Sequence, residues 1–234
     1  MPTIKVLSAG AVQSMVEALG REFERGSGNK VDLTFNTAGW LHDRVKNGEA
    51  ADVVILSESI IAALDRLGLF VPGSIVNLGR TVTGVAIREG APAPDISTPA
   101  AFKEALLNAK TVSYTDPKAG GSGGIMFTAM LEKLGIADAI AKKAVLGQRG
   151  AEVAQLVADG KAELGTTFIS EVLPVKGAKV LGPLPGELHT ANTYTAAVHA
   201  GSANRATAEA LLRALTDPAT GDRWVAAGLE PAFR

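Results

Sequence analysis

Residues 47–57 read NGEAADVVILS, and this stretch decides the fold. Its centre, ADVVIL at 51–56, is a short apolar run typical of a strand that is buried on both faces of a parallel sheet. Gly48 closes the helical pattern GWLHDRVKNG that precedes the run, and a second helical pattern, ESIIAALDRLG, follows it. A buried strand between two helices predicts parallel strands that are connected by helices.

The same alternation continues in both directions along the chain. Upstream lie the strand pattern IKVLS, the helical pattern VQSMVEALGREFER and the strand pattern KVDLTF. Downstream, the strand patterns TVTGVAIREG, TVSYT, KAVLGQ and AELGTTF alternate with the helical patterns AFKEALLNA, IMFTAMLEKLG and AEVAQLVADG. The last third has an alternating strand, TYTAAVHA, and then two helical patterns, NRATAEALLRALTD and ATGDRWVAAG. The sequence therefore predicts an α/β fold in which ligands bind outside the carboxyl ends of the strands.

The composition excludes several classes of function. Lys and Arg number 23 against 24 Asp and Glu, and the net charge of -1 lacks the basic excess of a nucleic-acid-binding protein. The chain has no cysteine, and its three histidines are far apart in sequence, so we expect neither a metal site nor a cofactor.

The N-terminus bears on the compartment. It reads MPTIKVLSAG, without the basic cluster and apolar run of a signal peptide, and no stretch approaches the ~18 apolar residues of a membrane span. We expect a cytoplasmic protein as the sequence is written, or a periplasmic one if a leader has been removed. We expect no membrane insertion.

Four loops that connect a strand to a helix are candidates for binding a small anion, since free backbone N–H groups and the helix dipole favour negative charge there. They read LSAGAVQ, FNTAGW, YTDPKAGGSGGI and GQRGAE, at residues 7–13, 35–40, 114–125 and 147–152. Small residues in them would let a ligand approach the backbone. The candidate binding residues in these loops are Ser8, Gly10, Ala11, Asn36, Thr37, Ala38, Gly121, Ser122, Gly123, Arg149 and Gly150.

Each loop also has a simpler interpretation, because small residues between a strand and a helix are common in ordinary caps and turns. The glycine loop is not a phosphate-binding P-loop, since no Gly-Lys-Ser/Thr ends it, and it lacks the dinucleotide-binding spacing. Arg149 is predicted to form a bidentate pair with a ligand carboxylate, with a solvated surface arginine as the alternative.

Taken together, these stretches resemble the molybdate-binding members of the type 2 periplasmic-binding-protein superfamily over essentially the whole chain. The matching segments are VLSAGAVQSMVEALGREFER, FNTAGWLHDRVKNGEAADVVILS, YTDPKAGGSGGIMF and VADGKAELGTTFISEV. The resemblance implies two α/β lobes with hinge crossovers and a ligand cleft between them. It places lobe 1 at residues 1–81 and 192–234 and lobe 2 at 82–191. It also adds Thr167 and Phe168 to the candidate binding residues.

The sequence departs from the family pattern at the site. Molybdate binders usually have a serine where Ala11 stands and a tyrosine where Phe168 stands, and an arginine is present at position 149. Loss of two hydroxyl donors disfavours molybdate, so an organic carboxylate is the expected ligand of a solute-binding protein. An ABC permease would be its partner if the protein is exported.

Other functions remain open at this point. Some proteins of the lineage resemble isomerases of small unsaturated polycarboxylates, such as aconitate isomerase, and such an enzyme needs a group that removes a proton. The sequence identifies no catalytic residue, although Asp116, Glu171 and His42 lie near the loops. A ligand-sensing module that docks on another protein would need an exposed apolar patch.

Overall fold

A computed structural model describes residues 2–233, and strands and helices alternate along most of this range. The strands are β1 Thr3–Ala9, β2 Lys30–Asn36, β3 Val53–Ser57, β4 Val76–Arg88, β5 Val112–Thr115, β6 Ala144–Gly147, β7 Leu164–Phe168, β8 Ala178–Pro183, β9 Ala191–Val198 and β10 Glu230–Pro231. The α-helices are α1 Gln13–Ser27, α2 Ala38–Lys46, α3 Glu58–Asp65, α4 Pro99–Asn108, α5 Ser122–Lys133, α6 Ala137–Ala141, α7 Gly150–Ala158, α8 Ile169–Val172, α9 Arg205–Leu215 and α10 Gly221–Ala226. The predicted α/β class is confirmed.

The chain forms two compact units. Unit 1 comprises residues 1–80 and 192–234, and unit 2 comprises residues 81–191. Strand β4 begins in unit 1 and ends in unit 2, and β9 lies in unit 1 apart from its first residue.

The sheet of unit 1 has the strand order β2-β1-β3-β9. Strands β2, β1 and β3 are parallel, whereas β9 runs antiparallel to β3. Every residue of β3 is buried, as expected for the apolar run that predicted it. Helix α1 buries the stripe of Met15, Val16 and Leu19, and it ends at Gly28, whose φ of 72° is the left-handed conformation that favours glycine at a helix end.

The last helices complete the core of unit 1. The side chain of Trp224 in α10 is fully buried, and it lies so close to Gly79 in β4 that a Cβ atom there would be 3.0 Å from the indole ring. The C-terminal strand β10 is antiparallel to the first part of β4, with Glu230 opposite Arg80.

Unit 2 has its own sheet and its own core. Strands β6, β5 and β7 are parallel, and the second part of β4 pairs antiparallel with both β7 and β8. The main core contains Phe102 of α4 and Phe127 of α5, and the ring of Phe127 lies 5.1 Å from that of Tyr114. A smaller apolar cluster, which includes Ala154, Val157 and Val172, joins α7 and α8 to the sheet.

Within residues 2–233, no helix is both long enough and apolar enough to cross a membrane.

Candidate functional site

The unit 1 edge is formed by the carboxyl ends of three parallel strands, and we define it as residues 8–12, 36–40 and Ser57. The backbone register aligns Ala9 of β1 with Asn36 of β2, and it aligns Ser8 with Ile55 of β3. The first two predicted binding loops therefore begin at the same edge of one sheet.

Neutral polar groups dominate the unit 1 edge. The hydroxyl of Ser8 is fully buried and donates to the carbonyl of Ala9 at 3.2 Å. The side-chain oxygen of Asn36 accepts the N–H of Thr37 at 2.8 Å, and the Thr37 hydroxyl accepts the N–H of Trp40 at 3.4 Å as the N-cap of α2. These bonds hold the loop in shape at the start of the helix.

The helix that follows the first loop begins differently. Gly10 and Ala11 lie in a single 3₁₀ turn, and no side chain caps that turn or the start of α1. Ala11 is buried and contributes only a methyl group. Ala38, the first residue of α2, is also buried, and the ring of the neighbouring Trp40 is stacked under the Arg44 guanidinium at 4.4 Å.

The third strand end of unit 1 was not among the predicted binding residues. Ser57 ends β3, is buried, and lies with its hydroxyl 3.4 Å from that of Ser59. The sequence signal that could have identified this strand end is a serine at the end of an apolar run, as Ser57 is in VVILS.

The unit 2 edge is the corresponding strand-end region of the second sheet, and we define it as residues 116–124, 148–150 and 167–171. The register aligns Thr115 of β5 with Gly147 of β6, and it aligns Tyr114 with Thr166 of β7. The glycine loop, the arginine loop and the end of β7 thus leave the sheet at a common edge.

Glycines allow α5 to begin directly on this sheet. A Cβ atom at Gly124 would lie 2.1 Å from the Thr115 carbonyl oxygen, so only glycine fits there without movement. A Cβ atom at Gly123 would lie 3.5 Å from the ring of Phe168. Gly121 is buried at the N-cap of α5 and Ser122 is its half-buried first residue.

A carboxylate that the sequence analysis did not assign lies at the start of α7. A Cβ atom at Gly150, the first residue of α7, would lie 1.8 Å from Oε2 of Glu171 and 2.4 Å from Oγ1 of Thr167. The hydroxyl of the buried Thr167 donates to that same Glu171 oxygen at 2.8 Å. Gly150, Thr167 and Glu171 therefore form one cluster, which we call the carboxylate cluster.

Burial raises the pKa of the Glu171 carboxyl to about 7, because removal from water disfavours the charged form. The Thr167 hydroxyl and the backbone N–H of Phe168 oppose this pKa shift, since both donate to the carboxylate, but burial outweighs them. A carboxyl with a pKa about 7 exchanges its proton near neutral pH.

Arg149 immediately precedes this cluster. It occupies the N-cap position of α7 without capping it, and its half-exposed guanidinium lies 3.4 Å from the carboxylate of Glu152. Phe168, by contrast, is 3% exposed and packs with its ring against Gly123.

The predicted binding residues thus fall into two groups. Ser8, Gly10, Ala11, Asn36, Thr37 and Ala38 lie at the unit 1 edge, and Gly121, Ser122, Gly123, Arg149, Gly150, Thr167 and Phe168 lie at the unit 2 edge. Their role as ligand contacts stays a prediction. Across residues 2–233, no cluster of three or more His, Cys, Asp or Glu side chains could hold a metal ion.

Comparison with known proteins decides the family. The sequence profile described as "Bacterial extracellular solute-binding protein" matches residues 4–230. The chain belongs to this family. The match spans both units, as the resemblance of the loops indicated.

Two relatives and one solved structure are similar over nearly the whole chain. An aconitate isomerase of Pseudomonas sp is 31% identical over 234 residues, covering 98% of this chain and 88% of that protein. A molybdate-binding protein of Azotobacter vinelandii is 27% identical over 228 residues, covering 92% and 84%. The structure of the Azotobacter vinelandii periplasmic molybdate-binding protein has a TM-score of 0.79 at 20% identity, covering 97% of this chain and 98% of that one. The predicted type 2 periplasmic-binding-protein fold, with two α/β lobes, is confirmed.

Proposed function

We propose that this member of the solute-binding family binds a small organic polycarboxylate. The observation that carries the proposal is the half-exposed guanidinium of Arg149 at the start of α7. A guanidinium pairs with a carboxylate through two parallel hydrogen bonds, which gives both charge and geometric fit.

The neighbouring residues favour a carbon-based ligand over molybdate. Ala11 and Phe168 are buried and offer a methyl group and a ring instead of hydroxyl donors. The raised pKa of Glu171 lets this carboxyl hold a proton near neutral pH, so it can donate a hydrogen bond to a ligand carboxylate as well as accept one.

The relatives support binding of an anion, and they extend the candidate anions from inorganic oxyanions to organic acids. One is named for molybdate and the other, at 31% identity, for aconitate, which is an unsaturated tricarboxylate. The residues that depart from molybdate binders therefore favour the second type of ligand.

Isothermal titration calorimetry tests the ligand class directly. We expect binding of cis- or trans-aconitate or a related di- or tricarboxylate, and weaker or no binding of molybdate, tungstate and sulfate. Arg149→Ala should weaken carboxylate binding by about 1.5 to 3 kcal/mol, the usual range for a hydrogen bond to a charged group. Arg213→Ala, an exposed arginine at the end of α9 in unit 1, is the matched control and should bind as the wild type does.

Strong binding of molybdate without any response to organic acids would overturn the proposal and favour oxyanion transport. Unchanged affinity in Arg149→Ala would remove that residue from the site while leaving the ligand class intact.

A second candidate function is isomerisation of the bound acid. Glu171 favours it, because this carboxyl is held by Thr167 at the unit 2 edge and its pKa of about 7 suits proton transfer at neutral pH. The aconitate isomerase relative supports the same reaction class.

The two functions differ in the expected partner and compartment. A transport protein of this extracellular family would deliver its solute to an ABC permease, and we propose that partner for an exported form. An isomerase would act alone, and we propose the cytoplasm for it. Cell fractionation with an antibody against the native protein separates the two.

A further inference from the structure

The environment of Glu171 sets it apart from the other acids of the unit 2 edge. Its Oε2 atom accepts the Thr167 hydroxyl at 2.8 Å and lies over the Cα atom of Gly150, where any side chain would displace it. The backbone N–H of Phe168 also donates to the carboxylate. The side chain is therefore held from two sides, by α7 and by the end of β7.

The other two acidic side chains near this edge make different contacts. Asp116 accepts the backbone N–H of Lys118 at 2.9 Å and caps the turn at Pro117. Glu152 accepts the backbone N–H of Gln148, pairs with Arg149, and is 42% exposed. Neither is fixed against the first turn of a helix as Glu171 is.

None of the three histidines lies at the unit 2 edge, where it could transfer a proton in place of Glu171. His42 lies in α2 and His199 follows β9, both in unit 1, and His199 is near the amino end of β3 because Val198 pairs with Val53. His189 belongs to unit 2 but is exposed after the turn Gly186–Leu188.

We propose that Glu171 is the catalytic residue that removes a proton from a bound unsaturated polycarboxylate and returns it to a different carbon. This inference rests on isomerisation, the second candidate function above. The ligand class is a small acid with a CH₂ group next to a carbon–carbon double bond that is conjugated to a carboxylate.

The proposed step is balanced within the protein and its substrate. The carboxylate oxygen of Glu171 takes a proton from the CH₂ carbon, so a C–H bond breaks and an O–H bond forms, and the electron pair moves the double bond by one position. The O–H bond then breaks as the proton is delivered to the far carbon of the three-carbon unit, and a C–H bond forms there. No oxidant, reductant or cofactor takes part, and Glu171 returns to its starting charge.

The surrounding charges are compatible with this exchange. Of the elements packed against α8, α7 carries Glu152, β8 carries Lys179, and β7 carries no charged side chain. Arg149, just before α7, would balance negative charge that develops on the substrate. Burial raises the pKa of Glu171 to about 7, so both protonation states are populated near neutral pH.

The test is proton NMR of cis-aconitate in deuterium oxide with the full chain, together with calorimetric binding. The wild type should form the trans isomer, and deuterium enters the product to the extent that the Glu171 carboxyl exchanges its proton with solvent before returning it. Glu171→Gln should lower both rates by at least 100-fold while binding within about 3-fold of the wild type, since the amide keeps the size of the side chain and an acceptor for Thr167. Glu132→Gln, on the exposed face of α5, is the matched control and should react at the wild-type rate.

Other results of these experiments would overturn either the role of Glu171 or the proposed function. Binding by the wild type without formation of the trans isomer overturns the role of Glu171 and leaves carboxylate binding intact, whereas absence of binding overturns the proposed function itself. Wild-type rates in Glu171→Gln also overturn the role. If Glu171→Gln does not fold, the pH dependence of the wild-type rate decides. The proposal requires the rate to rise with pH through an apparent pKa near 7, because only the deprotonated carboxylate can take the proton.

Discussion

The two strand-end edges have the same backbone plan and different chemistry. At the unit 1 edge, the neutral side chains of Ser8, Asn36 and Thr37 are each hydrogen-bonded to a backbone group of their own loop. At the unit 2 edge, glycines bring backbone segments into close contact and leave a charged pair and a half-buried carboxylate at the start of α7. Two strand-and-helix units with the same backbone plan can therefore differ in whether their strand ends carry titratable groups.

The largest expected effect tests whether the unit 2 edge depends on glycine. Gly124→Ala should lower the free energy of unfolding by about 3 kcal/mol, because the new methyl group would meet the Thr115 carbonyl 2.1 Å away. Urea denaturation followed by circular dichroism measures this change. Gly26→Ala, in the helix α1 of unit 1 with no atom within 4 Å of the new methyl group, should instead stabilise by roughly 0.5 to 1 kcal/mol. Equal losses in both variants would contradict the close packing of Gly124 against Thr115.

The second effect concerns the charge of Glu171. Because its pKa is raised from 4.5 to about 7 in the folded protein, the folded state binds more protons than the unfolded state between these values. This contribution to stability is fully present below pH 4.5, and it is lost as the pH rises from there through 7, by about 3 kcal/mol in all.

Unfolding free energies of the wild type and Glu171→Gln, measured from pH 4 to pH 8, isolate that contribution. The difference between the two proteins should change by this amount across the range, in favour of Glu171→Gln at high pH. Glu132→Gln should parallel the wild type, and a Glu171→Gln curve that also parallels the wild type would show that the carboxyl is not desolvated.

The third effect compares helix caps in the two units. Thr37 caps α2 at the unit 1 edge, and Thr98 caps α4 in unit 2 by accepting the N–H of Ala101 at 3.1 Å. Thr37→Ala and Thr98→Ala should each cost about 1 kcal/mol in thermal or urea unfolding. A larger loss of ligand affinity in Thr37→Ala than in Thr98→Ala would sharpen the assignment of the unit 1 edge, and no stability loss in either would refute the caps.

The smallest effect concerns exposed ion pairs. Arg149→Ala should change the free energy of unfolding by less than about 0.5 kcal/mol, since its pair with Glu152 is half exposed. Arg205→Ala, which removes the similarly exposed pair with Glu209 in unit 1, should behave alike. The measurement is urea unfolding at low and high salt, and a loss above 1 kcal/mol only for Arg149 would indicate a structural role for it.

Sequence patterns predicted much of the fold because most strands and helices have a pattern of apolar residues that can be recognised within their own segment. The run ADVVIL became the fully buried β3, and the stripe Met15, Val16 and Leu19 became the buried face of α1. Strand β8 was not predicted, because Ala178–Pro183 has neither alternation nor a continuous apolar run, and its pairing with β4 supplies what its own sequence does not.

The candidate site, too, was predicted from the sequence only in part. The sequence alone was enough to locate the loops that follow the strands, since small and polar residues after a strand pattern are visible without coordinates. Glu171 lies three residues after Phe168 and 21 positions from Gly150 in sequence, and its local pattern marked it only as one of three titratable residues near the loops. Only the tertiary structure brings its carboxylate onto Gly150 and under the Thr167 hydroxyl, because α7 and α8 meet there. The raised pKa follows from that meeting, since desolvation depends on what surrounds a group in space and not on its neighbours in the chain.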